Sequence, residues 1–140
     1  MIHFYNEGTK TRLPQKKRLK NYLENLFQRE GRSLSFLNYI FCSDDFLLQI
    51  NRDFLKQDDL TDIITFSYAP KKEPIEGEVY ISTDRIKENQ RTFKSGYNGE
   101  LHRVIFHGAL HLCGYRDKTT IQKKTMRQKE DFYLSGYGLI

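Results

Sequence analysis

A chain of 140 residues, 38% hydrophobic and 29% charged, has room for one core, so a single domain over residues 1–140 is expected. Ten Phe and nine Tyr argue against a disordered segment; no apolar run approaches the roughly 20 residues that cross a bilayer, and no apolar core region follows Met1, which leaves the cytoplasm as the expected location. The 23 Lys and Arg outnumber the 18 acidic residues for a formal net charge of +5, which suits a phosphate-bearing partner.

Ile2 to Tyr5 predicts a short strand, and Leu19, Tyr22, Leu23, Leu26 and Phe27 fall at helical spacing behind Pro14, a good first-turn residue. Leu34 to Cys42, rich in aromatic and branched side chains, predicts a second strand. Ser43 behind it is a candidate N-cap for a helix with Phe46, Leu47, Ile50 and Phe54 on one side. Asp62 to Ser67 predicts the third strand, Ala69 to Gly77 an exposed connection, and Gly77 to Ser82 the fourth strand. Thr83 to Phe93 predicts a helix, Ser95 to Gly99 a turn, and Glu100 to Cys113 a strongly apolar helix stopped by Gly114. Thr119 to Leu134 predicts the last helix, ended by Gly136. Strands alternate with helices, but the link between strands three and four is short. The expected fold is therefore α/β (α+β-like): a four-stranded mixed sheet with one antiparallel edge strand, packed by about five helices.

His107 and His111, four apart on the apolar helix, project from one face about one turn apart, where two imidazoles can grip one metal ion. Gly114 breaks the helix and the following residues curl back, so the Asp117 carboxylate can approach the same point from outside. The pattern His-x3-His-x5-Asp resembles zinc-dependent hydrolases, in which three protein ligands leave a coordination position for water. A lone His on an apolar helix more often satisfies a local hydrogen bond; the helix break and the carboxylate favour a metal here. His3 and His102 lie outside the pattern and read as ordinary surface or packing residues. Gly108 stands where a zincin peptidase carries the general-base Glu of His-Glu-x-x-His, and it allows another backbone or a ligand close to the helix. Glu100 shares the histidine stripe two turns back, and equally reads as a solvated first-turn acid.

The stretch HGALHLCGYRD from His107 to Asp117 resembles the signature of the YbeY family of bacterial endoribonucleases and rRNA maturation factors, His-Gly-x-Leu-His-Leu-x-Gly-Tyr-x-(His or Asp). The resemblance continues in Ile50, Asn51 and Phe54, in TDIITF from Thr61 to Phe66, in GEVYIS from Gly77 to Ser82, and in Met126 and Glu130. It implies a metal-dependent endoribonuclease specific for single strands, acting in maturation of the 16S rRNA 3′ end and in ribosome quality control. The implied catalytic and metal-binding residues are His107, His111 and Asp117, with one zinc ion as cofactor. The implied partners are single-stranded rRNA, the small ribosomal subunit and its assembly proteins. Two positions depart from the family pattern. Asp117 stands where a third His is common, and a carboxylate makes a bound ion a weaker Lewis acid and admits other divalent transition metals. Leu55 stands where the family has an arginine that meets phosphate; Arg52, Lys56 and Arg116 are candidates to replace its charge.

The basic residues gather in two stretches, Lys10, Arg12, Lys16, Lys17, Arg18 and Lys20, then Arg116, Lys118, Lys123, Lys124, Arg127 and Lys129, either able to position an RNA strand or to serve as a solvated face. Cys42 and Cys113 are expected as free thiols. Two further classes stay open. A non-catalytic ribosome-assembly factor with a structural metal is favoured by Leu55, but Cys113 faces away from the His pair and makes a poor fourth ligand. A hydrolase of another substrate, such as a peptide, lacks its general base at Gly108.

Overall fold

Alternation along the strands decides the architecture. In the computed structural model, which describes residues 1–56, 61–93 and 96–140, the elements run β1 (Ile2–Asn6), α1 (Lys16–Arg29), β2 (Leu34–Cys42), α2 (Asp44–Leu55), β3 (Ile63–Ser67), β4 (Ile75–Ser82), α3 (Thr83–Phe93), α4 (Tyr97–Leu112) and α5 (Thr120–Tyr137). The strands form one sheet in the order β1-β2-β4-β3. β1 and β4 both pair parallel with β2, and β3 closes the edge antiparallel to β4. This is the mixed sheet with one antiparallel edge strand that the strand spacing led one to expect.

Every second residue of the central strands, Leu37, Tyr39 and Phe41 of β2 and Val79 and Ile81 of β4, is buried in the main core with Leu19, Leu23 and Phe27 of α1, Ile105 and Leu110 of α4, and Tyr133 and Leu134 of α5. The alternate residues Cys42 and Ile64 form a smaller core with Leu47 and Ile50 of α2. Ser43 caps α2 by accepting from the Phe46 N–H at 3.2 Å. Phe54, expected on the buried side of α2, is 69% exposed and forms a T-shaped pair with Phe66.

Three boundaries differ from the sequence reading by two residues or more. β4 begins at Ile75 rather than Gly77, because the Ile75 N–H donates to the Ser33 carbonyl at 2.8 Å and extends the ladder with β2. α4 begins at Tyr97, so Tyr97 to Gly99 of the expected turn form its first turn, while Ser95 lies outside the described residues. α5 continues through Gly136 to Tyr137 and ends at Gly138, which has φ 89°. Gly136 serves close packing: a Cβ there would lie 2.5 Å from the Tyr22 hydroxyl. Among the described residues, no helix is long and apolar enough to cross a membrane.

Candidate metal and active site

α4 lies directly on the sheet because Gly108 has no side chain; a Cβ there would sit 2.8 Å from Val79 Cγ1 and 3.0 Å from Ile63 Cδ1. The close approach that the glycine allows is thus made by the sheet itself. His107 and His111 stand half-buried on the helix edge, their ring centroids 4.4 Å apart and nearly perpendicular. Behind them α4 ends in a Schellman turn: Gly114, at φ 110°, donates to the His111 carbonyl, and Tyr115 donates to that of Leu110. The reversal brings Asp117 Oδ2 to 3.2 Å from His107 Nε2 and 3.5 Å from His111 Nε2. One donor atom from each of the three residues lies within 4.8 Å of the others.

Each imidazole is braced through its other nitrogen. His107 Nδ1 donates to Glu130 Oε2 at 2.7 Å, and Arg103 holds the second oxygen of that buried carboxylate at 3.0 Å. His111 Nδ1 donates to the backbone carbonyl of Tyr115 at 2.8 Å. A carbonyl can only accept, so the His111 proton sits on Nδ1 and Nε2 keeps its lone pair towards Asp117; the Glu130 carboxylate fixes the same tautomer on His107. Tyr115 is held in turn: its hydroxyl donates to Glu30 Oε1 at 2.7 Å, while Lys129 and the Tyr133 hydroxyl bind Glu30 Oε2.

The electrostatics separate the two histidines. Burial works to lower the His107 pKa, but the hydrogen bond and charge of Glu130, with Asp117 and Asp62, raise it above the ordinary value. Burial and the neighbouring His107 lower that of His111 despite the Tyr115 carbonyl and Asp117. Burial also pushes the Asp62 carboxyl up, against the attraction of His107. Two imidazole nitrogens and one carboxylate, with each ring's Nδ1 already engaged by an acceptor, form a donor set that fits a borderline divalent ion such as zinc.

A family model described as Endoribonuclease YbeY matches residues 3–138. The chain belongs to that family. It is 50% identical over 134 residues to an Endoribonuclease YbeY of Cytophaga hutchinsonii, covering 96% of this chain and 94% of the relative, and 43% identical to one from Amoebophilus asiaticus, covering 95% and 90%. Among solved structures, the solution structure of TM1509 from Thermotoga maritima is similar with a TM-score of 0.66 and 27% identity, covering 98% of this chain and 91% of that one. The YbeY family name describes cutting within RNA chains, and the family is metal-dependent.

In this YbeY-family chain the other expected residues sort plainly. His102 is 1% exposed, donates from Nδ1 to the Asn98 carbonyl and stacks on Tyr137, so it packs and is not a surface residue. Glu100 is buried rather than solvated, and it is not among the three grouped donors. The thiols of Cys42 and Cys113 are free, both pushed up to about 12 by burial. Leu55 is 42% exposed. Of the three cations weighed as replacements, Arg116 lines a groove beside His111, which Arg52 and Lys56 do not. Glu130, Glu30, Asp62 and the Tyr115 carbonyl are the additions. Glu130 had a signal in the resemblance of the last helix, but no spacing rule links it to a histidine 23 positions earlier.

Proposed function

We propose that this chain is a cytoplasmic, metal-dependent endoribonuclease specific for single strands, with His107, His111 and Asp117 holding one ion, zinc by preference. Its role in the cell is maturation of the 16S rRNA 3′ end and ribosome quality control on the small subunit, with the whole chain acting as one domain. The observation that carries the reading is the convergence of both imidazoles on one carboxylate oxygen, Asp117 Oδ2 lying 3.2 Å from His107 Nε2 and 3.5 Å from His111 Nε2. Three donors, rather than the four of a closed structural site, suit a centre that keeps a position open for water or substrate. That favours turnover over a purely structural metal in an assembly factor.

Bound there, the ion supplies Lewis acidity for a phosphoryl oxygen and makes hydroxide available near neutral pH. The chain's own groups prepare the site. Glu130 and the Tyr115 carbonyl hold both Nδ1–H groups, so the two Nε2 lone pairs face Asp117 without tautomer searching. Arg103 pairs with the Glu130 carboxylate and holds it in place.

The test is cleavage of single-stranded RNA by purified protein of known metal content. His111→Ala and Asp117→Ala are expected to lose bound metal and cutting together, as measured by elemental analysis and gel assay. Undiminished cutting by metal-free His111→Ala protein refutes the reading.

A further inference from the structure

A groove of about 510 Å³ opens beside His111. One wall is Leu112 to Arg116 at the end of α4; the other is the β3–β4 region, including Thr65, Ser67 and Lys71. Its size falls in the range of about 300–1,000 Å³ typical of sites for one small ligand, room for a nucleotide unit rather than a folded partner.

Arg32 joins the two walls. Gly31 ends α1 with φ 72°, and the Arg32 N–H closes that turn on the Phe27 carbonyl. The Arg32 guanidinium then donates Nη1–H to the Cys113 carbonyl at 2.9 Å and Nη2–H to the Lys71 carbonyl at 3.0 Å. Both bonds are to neutral acceptors, so its charge is uncompensated by them, and a guanidinium offers five N–H groups in a rigid fork. Lys71 and Arg116 add two cations to the lining, against the single carboxylate of Glu73. Besides His111, the aromatic residue of the lining is Tyr115, whose hydroxyl is held by Glu30 and over one face of which Lys129 Nζ sits 5.3 Å from the centroid. The groove therefore offers positive charge and the hydroxyls of Thr65 and Ser67, groups that meet a sugar–phosphate backbone, while its tyrosine is tied to Glu30 and Lys129.

We infer that this groove is a subsite for the sugar–phosphate backbone of the nucleotide next to the cleaved bond, with Arg32 and Arg116 as its phosphate-binding residues and no preference for the base. The inference rests on the nuclease reading, but its failure reads differently. A contact to phosphate steadies the strand equally before and during reaction, so its loss appears in KM and in salt dependence more than in kcat.

The probes are single-stranded uridine and adenosine octanucleotides with the full-length, metal-loaded protein. Arg116→Ala is expected to raise KM about fivefold with kcat changed less than about twofold, and to shrink the slope of log affinity against log salt by about 0.7, the loss of one single-strand phosphate contact. Arg32→Gln, checked for folding by its thermal melt, is expected to do the same, and the two octanucleotides to differ in KM by less than about threefold. Lys87→Ala, a cation of α3 that lines no part of this groove, serves as the unchanged control. Unaltered KM and salt slope in Arg116→Ala protein that still cuts RNA overturns the subsite and leaves the nuclease reading standing. Wild-type protein that binds the octanucleotides with this Arg116 dependence but cuts neither supports the subsite and sinks the nuclease reading. In either case Arg116, exposed and outside the helix ends, decides the matter if Arg32→Gln fails to fold.

Discussion

His107 and His111 are the same residue on the same helix, yet they are held in opposite ways. His107 leans on a buried, charged carboxylate from α5, itself clamped by Arg103. His111 leans on a neutral carbonyl in the turn that follows its own helix. One brace is tertiary and made by side chains; the other is local and made by backbone. The first raises the proton affinity of its ring, and the second leaves burial and the neighbouring ring to lower it. Two imidazoles of unequal basicity facing one carboxylate make a site whose two halves respond differently to mutation.

The sharpest way to break the comparison is to remove the side-chain brace. Glu130→Gln keeps the volume and an acceptor oxygen but loses the charge, and Glu130→Ala removes both and leaves Arg103 with Asp131 alone. Metal affinity, read by chelator competition, is expected to fall about 10- to 100-fold in Glu130→Ala and less in Glu130→Gln. Equal affinity in wild type and Glu130→Ala would show that His107 needs no brace.

The next effect acts on both halves together. Gly108→Ala sets a methyl group against Val79 and Ile63, whose short branched side chains have little room to yield. Denaturant unfolding is expected to show a loss of about 1–3 kcal/mol, the usual cost of overpacking. A neutral substitution would mean that α4 can lift from the sheet without cost, and that its seat does not hold the histidines.

Much of this was legible in the residues, and the reasons differ by element. The i, i+4 pair with a glycine break and a carboxylate behind it states the local half of the site in one stretch of chain, and the fold brings all three residues together. The alternation in β2 and the short β3–β4 link state the sheet. The helix limit at Gly136 was misplaced because a glycine that makes room for Tyr22 looks the same in sequence as one that ends a helix. Glu130, Glu30 and Arg32 were illegible as supporters because their partners lie 23, 85 and 81 residues away, where only the folded chain can introduce them.

A smaller effect belongs to the backbone-braced half. Glu30→Ala removes the anchor of the Tyr115 hydroxyl and of Lys129 but leaves the carbonyl that His111 uses. Metal affinity is expected to fall only about two- to fivefold, well below the Glu130 effect, because the brace itself survives and merely loosens. A loss as large as that of Glu130→Ala would erase the distinction between the two halves.

The smallest effect concerns a third imidazole on the same helix, which tests whether the kind of partner sets the direction. His102, like His111, donates to a backbone carbonyl, that of Asn98, and it is fully buried. Burial lowers its pKa below the ordinary 6.5, the Asn98 carbonyl raises it and the Arg18 charge lowers it further. The unfolded chain therefore takes up a proton on this residue at higher pH than the folded chain does. The stability it contributes is present above pH 6.5 and is lost as pH falls from there through the depressed folded value, with a slope of at most about 1.4 kcal/mol per pH unit. Urea unfolding between pH 7.5 and 5.5 is expected to show a flatter decline in His102→Gln than in wild type, whatever the absolute stability of the variant. Parallel declines would mean that a carbonyl-held, buried imidazole keeps its proton here, and the rule that separates His111 from His107 would lose its independent support.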